Sequence, residues 1–253
     1  TATDKGILNV VFDAPTNSTY TDYFNVSVFD ANGILLANQS TGTDLSFQAA
    51  LPTTGDYFVS VASNQWYHDS GQYSLTLAAT TGGEAGYEQE PNDEYANALI
   101  SGNAKRGQIA TSDDIDWFYL NTGSSGDLSI HFDAPTSSAF TDYFYVWIFD
   151  QSGNLLASKS TGQDINFSAS ASEAGDYFVA ITATDYHHDS GEYALTVTNK
   201  ASTINRESES NDSNALADPI TLGTNIYGQL STSVDQDHFV VSLASSGKIA
   251  LDF

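Results

Sequence analysis

The fold class is decided by a stretch of alternating residues, Tyr143-Phe144-Tyr145-Val146-Trp147-Ile148. Successive side chains of a β-strand point to opposite faces, so the residues at 144, 146 and 148 are predicted to share a buried face. The three aromatic residues between them then lie on the opposite face. Runs with the same period of two occur at 177–182 and 193–197, and turn-forming residues separate them. The sequence therefore predicts an all-β chain of antiparallel strands.

A repeat of domain size runs through the chain. The segment Gly55-Asp56-Tyr57-Phe58-Val59 recurs 120 positions later as Gly175-Asp176-Tyr177-Phe178-Val179. The segment Phe12-Asp13-Ala14-Pro15 recurs at the same spacing as Phe132-Asp133-Ala134-Pro135. A unit of this length suits a β-sandwich of about eight short strands better than one coil of a solenoid. We therefore predict tandem antiparallel β-sandwich domains.

The two ends of the chain fall at equivalent points of the repeat. The chain begins just before a predicted strand at 6–12 and stops at the matching predicted strand, 247–253. The predicted organisation is the C-terminal part of a first unit (1–79), a linker (80–87), a complete unit (88–199), a linker (200–206) and the N-terminal part of a third unit (207–253). Two interpretations stay open: partial units that complete one another between molecules, or an excerpt of a longer repeat protein.

The strongly acidic composition argues against two classes of binding partner. The 253 residues include 32 Asp and Glu against 7 Lys and Arg, a formal charge of −25. Nucleic acid and anionic membranes would repel such a surface, so neither is expected as a partner. The charge favours a cation-binding protein or a secreted, extracellular one. There is no cysteine, which excludes disulfides and thiol chemistry, and no apolar run approaches the roughly 18 residues of a membrane span.

An acidic motif occurs twice, as Glu88-Gln89-Glu90-Pro91-Asn92-Asp93 and as Glu207-Ser208-Glu209-Ser210-Asn211-Asp212. In an extended segment the side chains at 88, 90 and 92 share one face. A second acidic group follows each copy, at 113–116 and at 235–237. Crowded carboxylates repel unless a cation lies between them, and oxygen ligands at this density suit Ca²⁺. The alternative is a solvated turn in which residue 92 or 93 caps a short helical turn predicted at 94–100.

The ordered series of motifs resembles the bacterial pre-peptidase C-terminal (PPC) domain, and it is similar to the collagen-binding domains of clostridial collagenases. The motifs that carry the resemblance are the acidic motif at 88–93, Asp114-Ile115-Asp116-Trp117-Phe118, the Gly-Asp-Tyr-Phe-Val segment at 175–179 and Gly191-Glu192-Tyr193-Ala194-Leu195. The resemblance covers nearly the whole chain, in three full or partial copies. It implies a jelly-roll-like β-sandwich attached to secreted proteins, without catalysis of its own.

The resemblance also implies calcium ligands. In the complete unit these are Glu88, Glu90, Asn92 and Asp93 from the linker, Asp113 and Asp116 from a strand end, Asp114 as a substitute for Asp113, and the backbone carbonyl of Tyr177. In the third unit they are Glu207, Glu209, Asn211, Asp212, Asp235 and Asp237. Val234 stands where Asp113 stood, and the tyrosine counterpart is absent from 207–253. A weaker site, or one completed by another chain, is therefore expected.

Two equivalent loops carry exposed aromatic residues that are candidates for ligand binding: Trp66, Tyr67, Tyr186 and His187. Exposed aromatic rings serve as platforms for sugars or peptides, although packing against a neighbouring unit would explain them equally well. A catalytic role for the His-Asp-Ser-Gly turn at 188–191 is disfavoured, because a triad is assembled from separated elements. We do not expect an enzyme.

Two functional hypotheses follow. The first is a non-catalytic, calcium-stabilised structural or adhesive extracellular repeat protein, whose partners are neighbouring units or other copies of itself in a head-to-tail filament. The second is a targeting module of a secreted peptidase or other hydrolase, which would bind an extracellular polymer such as collagen or a glycan.

Overall fold

The computed structural model describes residues 1–15, 23–63, 68–94, 96–135, 142–184 and 189–253. Within those ranges the chain is built from β-strands, with one 3₁₀ turn at Glu84–Gly86 and no α-helix. The prediction of an all-β fold is confirmed. No helix in the described ranges has the length and apolar character needed to cross a membrane.

The strands fall into three groups along the chain. The first group is β1 Gly6–Asp13, β2 Phe24–Phe29, β3 Leu35–Thr41, β4 Leu45–Leu51, β5 Phe58–Ser63 and β6 Ser74–Thr81. The second is β7 Asn97–Ala98, β8 Ala104–Gly107, β9 Ile115–Thr122, β10 Gly126–Asp133, β11 Phe144–Phe149, β12 Leu155–Thr161, β13 Ile165–Ala171, β14 Gly175–Ala183 and β15 Tyr193–Ala201. The third is the short pair β16 Asp218–Pro219 and β17 Phe239–Val240.

The second group forms a sandwich of two sheets, which we call the middle unit. One sheet has the order β13-β10-β15-β8 and the other the order β12-β11-β14-β9-β7. All neighbours are antiparallel except β7 and β9. The alternation predicted for β11 is confirmed, since Phe144, Val146 and Ile148 are buried in the core between the sheets.

The first group, which we call the first unit, has the same arrangement with fewer strands. Its sheets have the orders β4-β1-β6 and β3-β2-β5, and they enclose a separate hydrophobic cluster around Val10, Phe12 and Val26. The register is that of the middle unit: Phe12 pairs with Leu75, and Phe132 pairs with Leu195. Among the described residues, β5 pairs with β2 and β6 pairs with β1, and each lies at the end of its sheet.

The third group, residues 207–253, forms far fewer strands than predicted. The strand predicted at 247–253 is wrong, because these residues are exposed and have no strand partner. Their counterpart β10 lies between β13 and β15, and the equivalents of those two strands do not lie within the 253 residues. A strand pattern becomes a strand only where partner strands satisfy its backbone groups.

The short helical turn predicted after the first acidic motif is also wrong. Asn97–Ala98 forms strand β7, which pairs parallel with Phe118 and Tyr119 of β9. The Asn97 side chain accepts a hydrogen bond from the backbone N–H of Gln89 at 2.7 Å and donates to its carbonyl at 3.2 Å. The segment is therefore extended along the sheet edge, where it fastens the acidic motif to the middle unit.

The units meet through equivalent contacts at both junctions. On β3 of the first unit, Asn38 Nδ2 donates to the carbonyl of Ala110 at 3.2 Å. On β12 of the middle unit, Ser158 Oγ lies 3.5 Å from the carbonyl of Ser231, which occupies the same place in the repeat as Ala110. Each unit therefore presents the same strands to the unit that follows it.

Candidate metal sites

The acidic linker motif of the middle unit is fastened to the sandwich through its backbone. Tyr87 forms a parallel bridge with Arg106 on β8, and the N–H of Glu88 donates to the Arg106 carbonyl at 2.8 Å. The Glu88 carboxylate turns inward, where its Oε1 accepts a hydrogen bond from the backbone N–H of Gln108 at 2.6 Å. The Glu88 side chain is buried as a result.

Two further contacts bring the motif to the start of β9. The backbone N–H of Asn92 donates to Glu90 Oε2 at 3.0 Å, which folds the glutamate over its own chain. The backbone N–H of Trp117 donates to the Asn92 carbonyl at 3.3 Å. Because Asp116 precedes Trp117, its carboxylate enters the same buried space from β9.

Three carboxylates converge in this space, which we call the middle site. One oxygen from each of Glu88, Glu90 and Asp116 lies within 4.8 Å of the others. Asn92 and Asp116 are completely buried. Three buried oxygens have no hydrogen-bond donor: Glu90 Oε1, Asn92 Oδ1 and Asp116 Oδ1. Buried oxygen atoms are normally paired, so unpaired ones that share a site are the expected signature of a cation ligand set.

Tyr193 on β15 completes the middle site from the opposite sheet. Its hydroxyl lies 3.2 Å from Glu88 Oε2 and also contacts Asp116 Oδ2. A hydroxyl carries one proton, so it donates to only one of these oxygens at a time. The phenol therefore holds the outer oxygens of both carboxylates and leaves Asp116 Oδ1 directed into the site.

In the absence of a cation, burial and mutual repulsion raise the pKa values of these three carboxylates. Burial raises the pKa of Glu88 to about 8. Burial, together with repulsion from Glu88 and Asp114, raises the pKa of Glu90 to about 9. Burial and the charge of Glu88 hold the pKa of Asp116 well above its ordinary value. At neutral pH the group therefore either keeps protons or requires a positive ion.

The second acidic motif builds a matching group, the third-unit site, from Glu207, Glu209 and Asp237. Its unpaired buried oxygens are at the same three positions, namely Glu209 Oε1, Asn211 Oδ1 and Asp237 Oδ1. Burial raises the pKa of Glu207 to about 7 and that of Glu209 to about 8. The two sites are thus constructed alike, but 207–253 has no counterpart of Tyr193.

Four of the predicted ligands each use one carboxylate oxygen to hold the surrounding backbone. Asp93 Oδ1 accepts from the N–H of Ile115 at 2.9 Å, and Asp114 Oδ2 accepts from the N–H of Ala110 at 2.6 Å. Their counterparts in the third unit make the same contacts: Asp212 accepts a hydrogen bond from the backbone N–H of Gln236, and Asp235 accepts one from the backbone N–H of Ser231. Asp113 is exposed and does not belong to the three-carboxylate group.

The position predicted for Tyr177 differs from the observed one. Tyr177 pairs with Leu120 on β9, whereas Asp116 pairs with Ile181, four residues further along β14. At about 3.3 Å per residue this separates the Tyr177 backbone from Asp116 by roughly 13 Å. Its hydroxyl donates to the Glu173 carbonyl at 2.9 Å. The tyrosine at the site is Tyr193, and only the pairing of β15 with β8 reveals this.

The aromatic residues proposed as a ligand platform, Trp66, Tyr67, Tyr186 and His187, lie outside the described residues. A groove of about 810 Å³ runs between the first and middle units. Its lining includes Gln39 and Phe47 from the first unit and Tyr143 and Glu192 from the middle unit.

Comparison with solved structures gives distant similarities. The pre-peptidase C-terminal domain of collagenase from Bacillus anthracis is 20% identical, with a TM-score of 0.35, over 44% of this chain and 100% of that domain. The tandem CBM51 modules of a family 98 glycoside hydrolase from Streptococcus pneumoniae are 6% identical, with a TM-score of 0.28, over 79% of each chain. No protein-family model matches the sequence.

Proposed function

We propose that this chain is a non-catalytic, calcium-stabilised extracellular repeat protein, in which calcium fastens the acidic linker motifs and so fixes successive β-sandwiches into a rod. The proposal rests mainly on the three unpaired buried oxygens that recur at equivalent positions of both sites. An all-oxygen, carboxylate-rich ligand set favours Ca²⁺ over softer metals. In the middle site the ligands would be Glu88, Glu90, Asn92 and Asp116.

The junctions support a mechanical role for the ion. Asn154 Nδ2 of the middle unit donates to the backbone carbonyl of Glu209 at 2.8 Å, so one metal-ligand residue also belongs to the interface. Beside it, Arg206 pairs with Asp127 at 2.7 Å, with the Arg206 side chain almost fully buried. An ion that holds Glu209 in place would therefore also hold the angle between the units.

The experiment is a melting curve with and without Ca²⁺. A bound ion stabilises the folded state by mass action, by about 2.7 kcal/mol at a hundred times its dissociation constant. The double variant Glu88→Ala, Glu90→Ala should lose the part of this shift that belongs to the middle unit. The control variant Glu94→Ala, Asp133→Ala removes two carboxylates from exposed positions. It should retain the full rise in melting temperature on addition of Ca²⁺. An equal rise in parent and double variant would refute the ligand assignment.

The polymer-binding alternative is favoured by the groove between the units. The groove is open and is lined by amide, hydroxyl, aromatic and charged side chains, a mixture that suits an extended polar polymer. Tyr143→Ala should then weaken retention on immobilised collagen or glycan. Retention that is absent in the parent chain would remove this alternative.

A further inference from the structure

The two junctions of the chain, between the first and middle units and between the middle unit and residues 207–253, share one backbone contact. At the first junction Tyr87 and Arg106 form a parallel bridge, and at the second Arg206 and Tyr227 form the same bridge. In each, the residue after the bridge donates its N–H to the carbonyl of Arg106 or Tyr227, at 2.8 and 3.0 Å. Tyrosine and arginine have thus changed places across an unchanged bridge. We call Tyr87 and Arg206 the linker residues.

The linker residue of the second junction carries its charge into the middle unit. Arg206 Nη2 lies 2.7 Å from Asp127 Oδ1, Nη1 lies 3.5 Å from Ser170 Oγ, and only 4% of the side chain is exposed. Asp127 and Ser170 pair with each other across β10 and β13, and we call them the charged face. A guanidinium cannot lose its proton inside a protein, so a buried one needs a carboxylate as its partner.

The same positions of the first unit form an uncharged face. Ile7 and Ala50 stand 120 residues before the two residues of the charged face, and they pair with each other across β1 and β4. The linker residue here is Tyr87, whose hydroxyl donates to Gln48 Oε1 and whose side chain lines a small cavity together with Ala50. Neither Ile7 nor Ala50 can neutralise a guanidinium, and Gln48 offers only a neutral amide oxygen.

The first junction contains an arginine too, but on the other side of the bridge. Arg106 Nη1 lies 2.5 Å from Glu192 Oε1 within the middle unit, and the guanidinium carbon lies 6.0 Å from the centre of the Tyr87 ring. The Arg106 side chain is 53% exposed, so it needs no partner from the first unit. The junctions therefore differ in which member of the tyrosine–arginine pair faces the preceding unit.

The difference between the two faces does not extend into the cores. Leu8 and Leu128, which follow the differing residues of β1 and β10, are both buried. A second position at the junction changes in the same direction: Asn154 Nδ2 donates to the Glu209 carbonyl at 2.8 Å, whereas the first unit has Ile34 at this repeat position. The preceding unit is thus charged and polar around the linker arginine and less polar around the linker tyrosine.

We propose that the linker residue selects the unit that can precede it. The charged face accepts a unit introduced by arginine, the uncharged face accepts one introduced by tyrosine, and the units therefore stack in one order. A wrong neighbour is rejected by its cost. Arginine on the uncharged face is a buried charge without a partner, and tyrosine on the charged face takes the partner from Asp127 and lacks the acceptor that Gln48 provides. These contacts involve no metal ion, so the selection goes beyond the proposed function.

The rigidity of a junction can be measured as a distance between spin labels, since the chain has no native cysteine. Asn103→Cys and Thr224→Cys lie at equivalent exposed positions of the middle and third units, so they report on the second junction. Thr54→Cys and Ala174→Cys, equivalent and exposed in the first and middle units, report on the first junction. A neighbour that fits gives one narrow distance distribution, and a rejected neighbour gives a broad one.

The first test exchanges the linker residue of the second junction and then the face that it meets. Arg206→Tyr should broaden the narrow distance distribution of the parent chain. Adding Asp127→Ile, Ser168→Gln and Ser170→Ala gives the middle unit the residues that the first unit has at these positions, and it should restore a narrow distribution. A role of Arg206 in stability alone does not predict this recovery by changes in the neighbouring unit.

The second test is the reciprocal exchange at the first junction. Tyr87→Arg should broaden the distance distribution there, because a guanidinium is buried without a carboxylate. Adding Ile7→Asp and Ala50→Ser should narrow the distribution again, because the guanidinium regains its partner. Since the two tests lie at different junctions, a variant that fails to fold in one leaves the other decisive.

Lys200→Tyr is the control, since it removes a positive charge from an exposed position of β15, and it should keep the narrow distribution of the parent. Three results overturn the proposal: a broad distribution in the parent, an unchanged narrow one in Arg206→Tyr, or a face-exchanged variant that stays as broad as Arg206→Tyr alone. The acidic motifs are intact in every variant, so these outcomes can be read even if calcium gives no rise in melting temperature.

Discussion

Tyr193 and Glu88, 105 residues apart in the sequence, are joined by a 3.2 Å contact between the phenol hydroxyl and Oε2. The contact connects the last strand of the middle unit to the linker that precedes its first strand. Since the same hydroxyl reaches Asp116, it gathers the buried carboxylates from both sides of the sandwich. The phenol therefore links the carboxylate of the linker motif to the carboxylate from β9, in addition to the backbone contacts that hold the linker.

Replacement of that side chain gives the first prediction. Tyr193→Phe should weaken calcium binding by about 10- to 100-fold, because a group that orients metal ligands is lost. It should also destabilise the calcium-free protein by about 1–3 kcal/mol, since buried carboxyl oxygens lose their partner. Calcium titration and urea unfolding measure the two effects. Tyr177→Phe is the control: its hydroxyl contacts Glu173, so calcium affinity should stay at the parent value.

A second prediction separates two neighbouring aspartates. Asp116 is fully buried and Asp113 is exposed. Asp116→Asn should abolish the calcium-dependent rise in the melting temperature of the middle unit, because a charged ligand is removed from the centre of the site. Asp113→Asn should leave the rise unchanged. Isothermal titration of both variants decides the point, and a loss of binding only in Asp113→Asn would reverse our assignment.

A third prediction concerns pH in the absence of calcium. The folded pKa of Glu88 is raised to about 8, well above the value of 4.5 for an unperturbed glutamate. Between these values the folded state binds more protons than the unfolded state, so the free energy of unfolding should fall as pH rises from about 5 to about 8.

Urea unfolding with EDTA across this pH window measures the slope. Calcium needs the deprotonated carboxylates, so its stabilising effect should grow with pH over the same window. Glu88→Gln with Glu90→Gln removes the titrating groups and should flatten the calcium-free slope. A free energy of unfolding that rises with pH in EDTA would contradict the burial argument.

The fourth prediction uses a glycine beside the middle site. A Cβ at Gly107 would collide with Glu88 Oε2 and with the Tyr193 ring, and both groups are buried. Gly107→Ala should therefore destabilise the chain by about 1–3 kcal/mol and lower calcium affinity. Gly123→Ala introduces the same methyl group where no atom lies within 4 Å, so it should be nearly neutral. Equal melting temperatures for the two variants would contradict the prediction, because Glu88 and Tyr193 would then be able to move aside for the added methyl group.

The sequence was most informative where side chains alternate within one strand. The period of two at 143–148 predicted which residues of β11 enter the core, because strand geometry alone fixes the side-chain direction. The strand prediction from the same period of two is wrong at 247–253, because these residues have no partner strand in the structure. The prediction of a helical turn at 94–100 is also wrong, because pairing with β9 holds Asn97–Ala98 extended against a local preference for a turn.

At the candidate site, alternation along an extended segment predicted that Glu88, Glu90 and Asn92 share one face, and the family resemblance added Asp116 together with Asp93, Asp113 and Asp114. Only the tertiary structure decided that Asp93 and Asp114 bind backbone N–H groups, that Asp113 lies outside, and that Tyr193 replaces Tyr177. Local spacing sets which way a side chain can point. The partners that it meets depend on strand register between residues up to 105 positions apart, which no local pattern encodes.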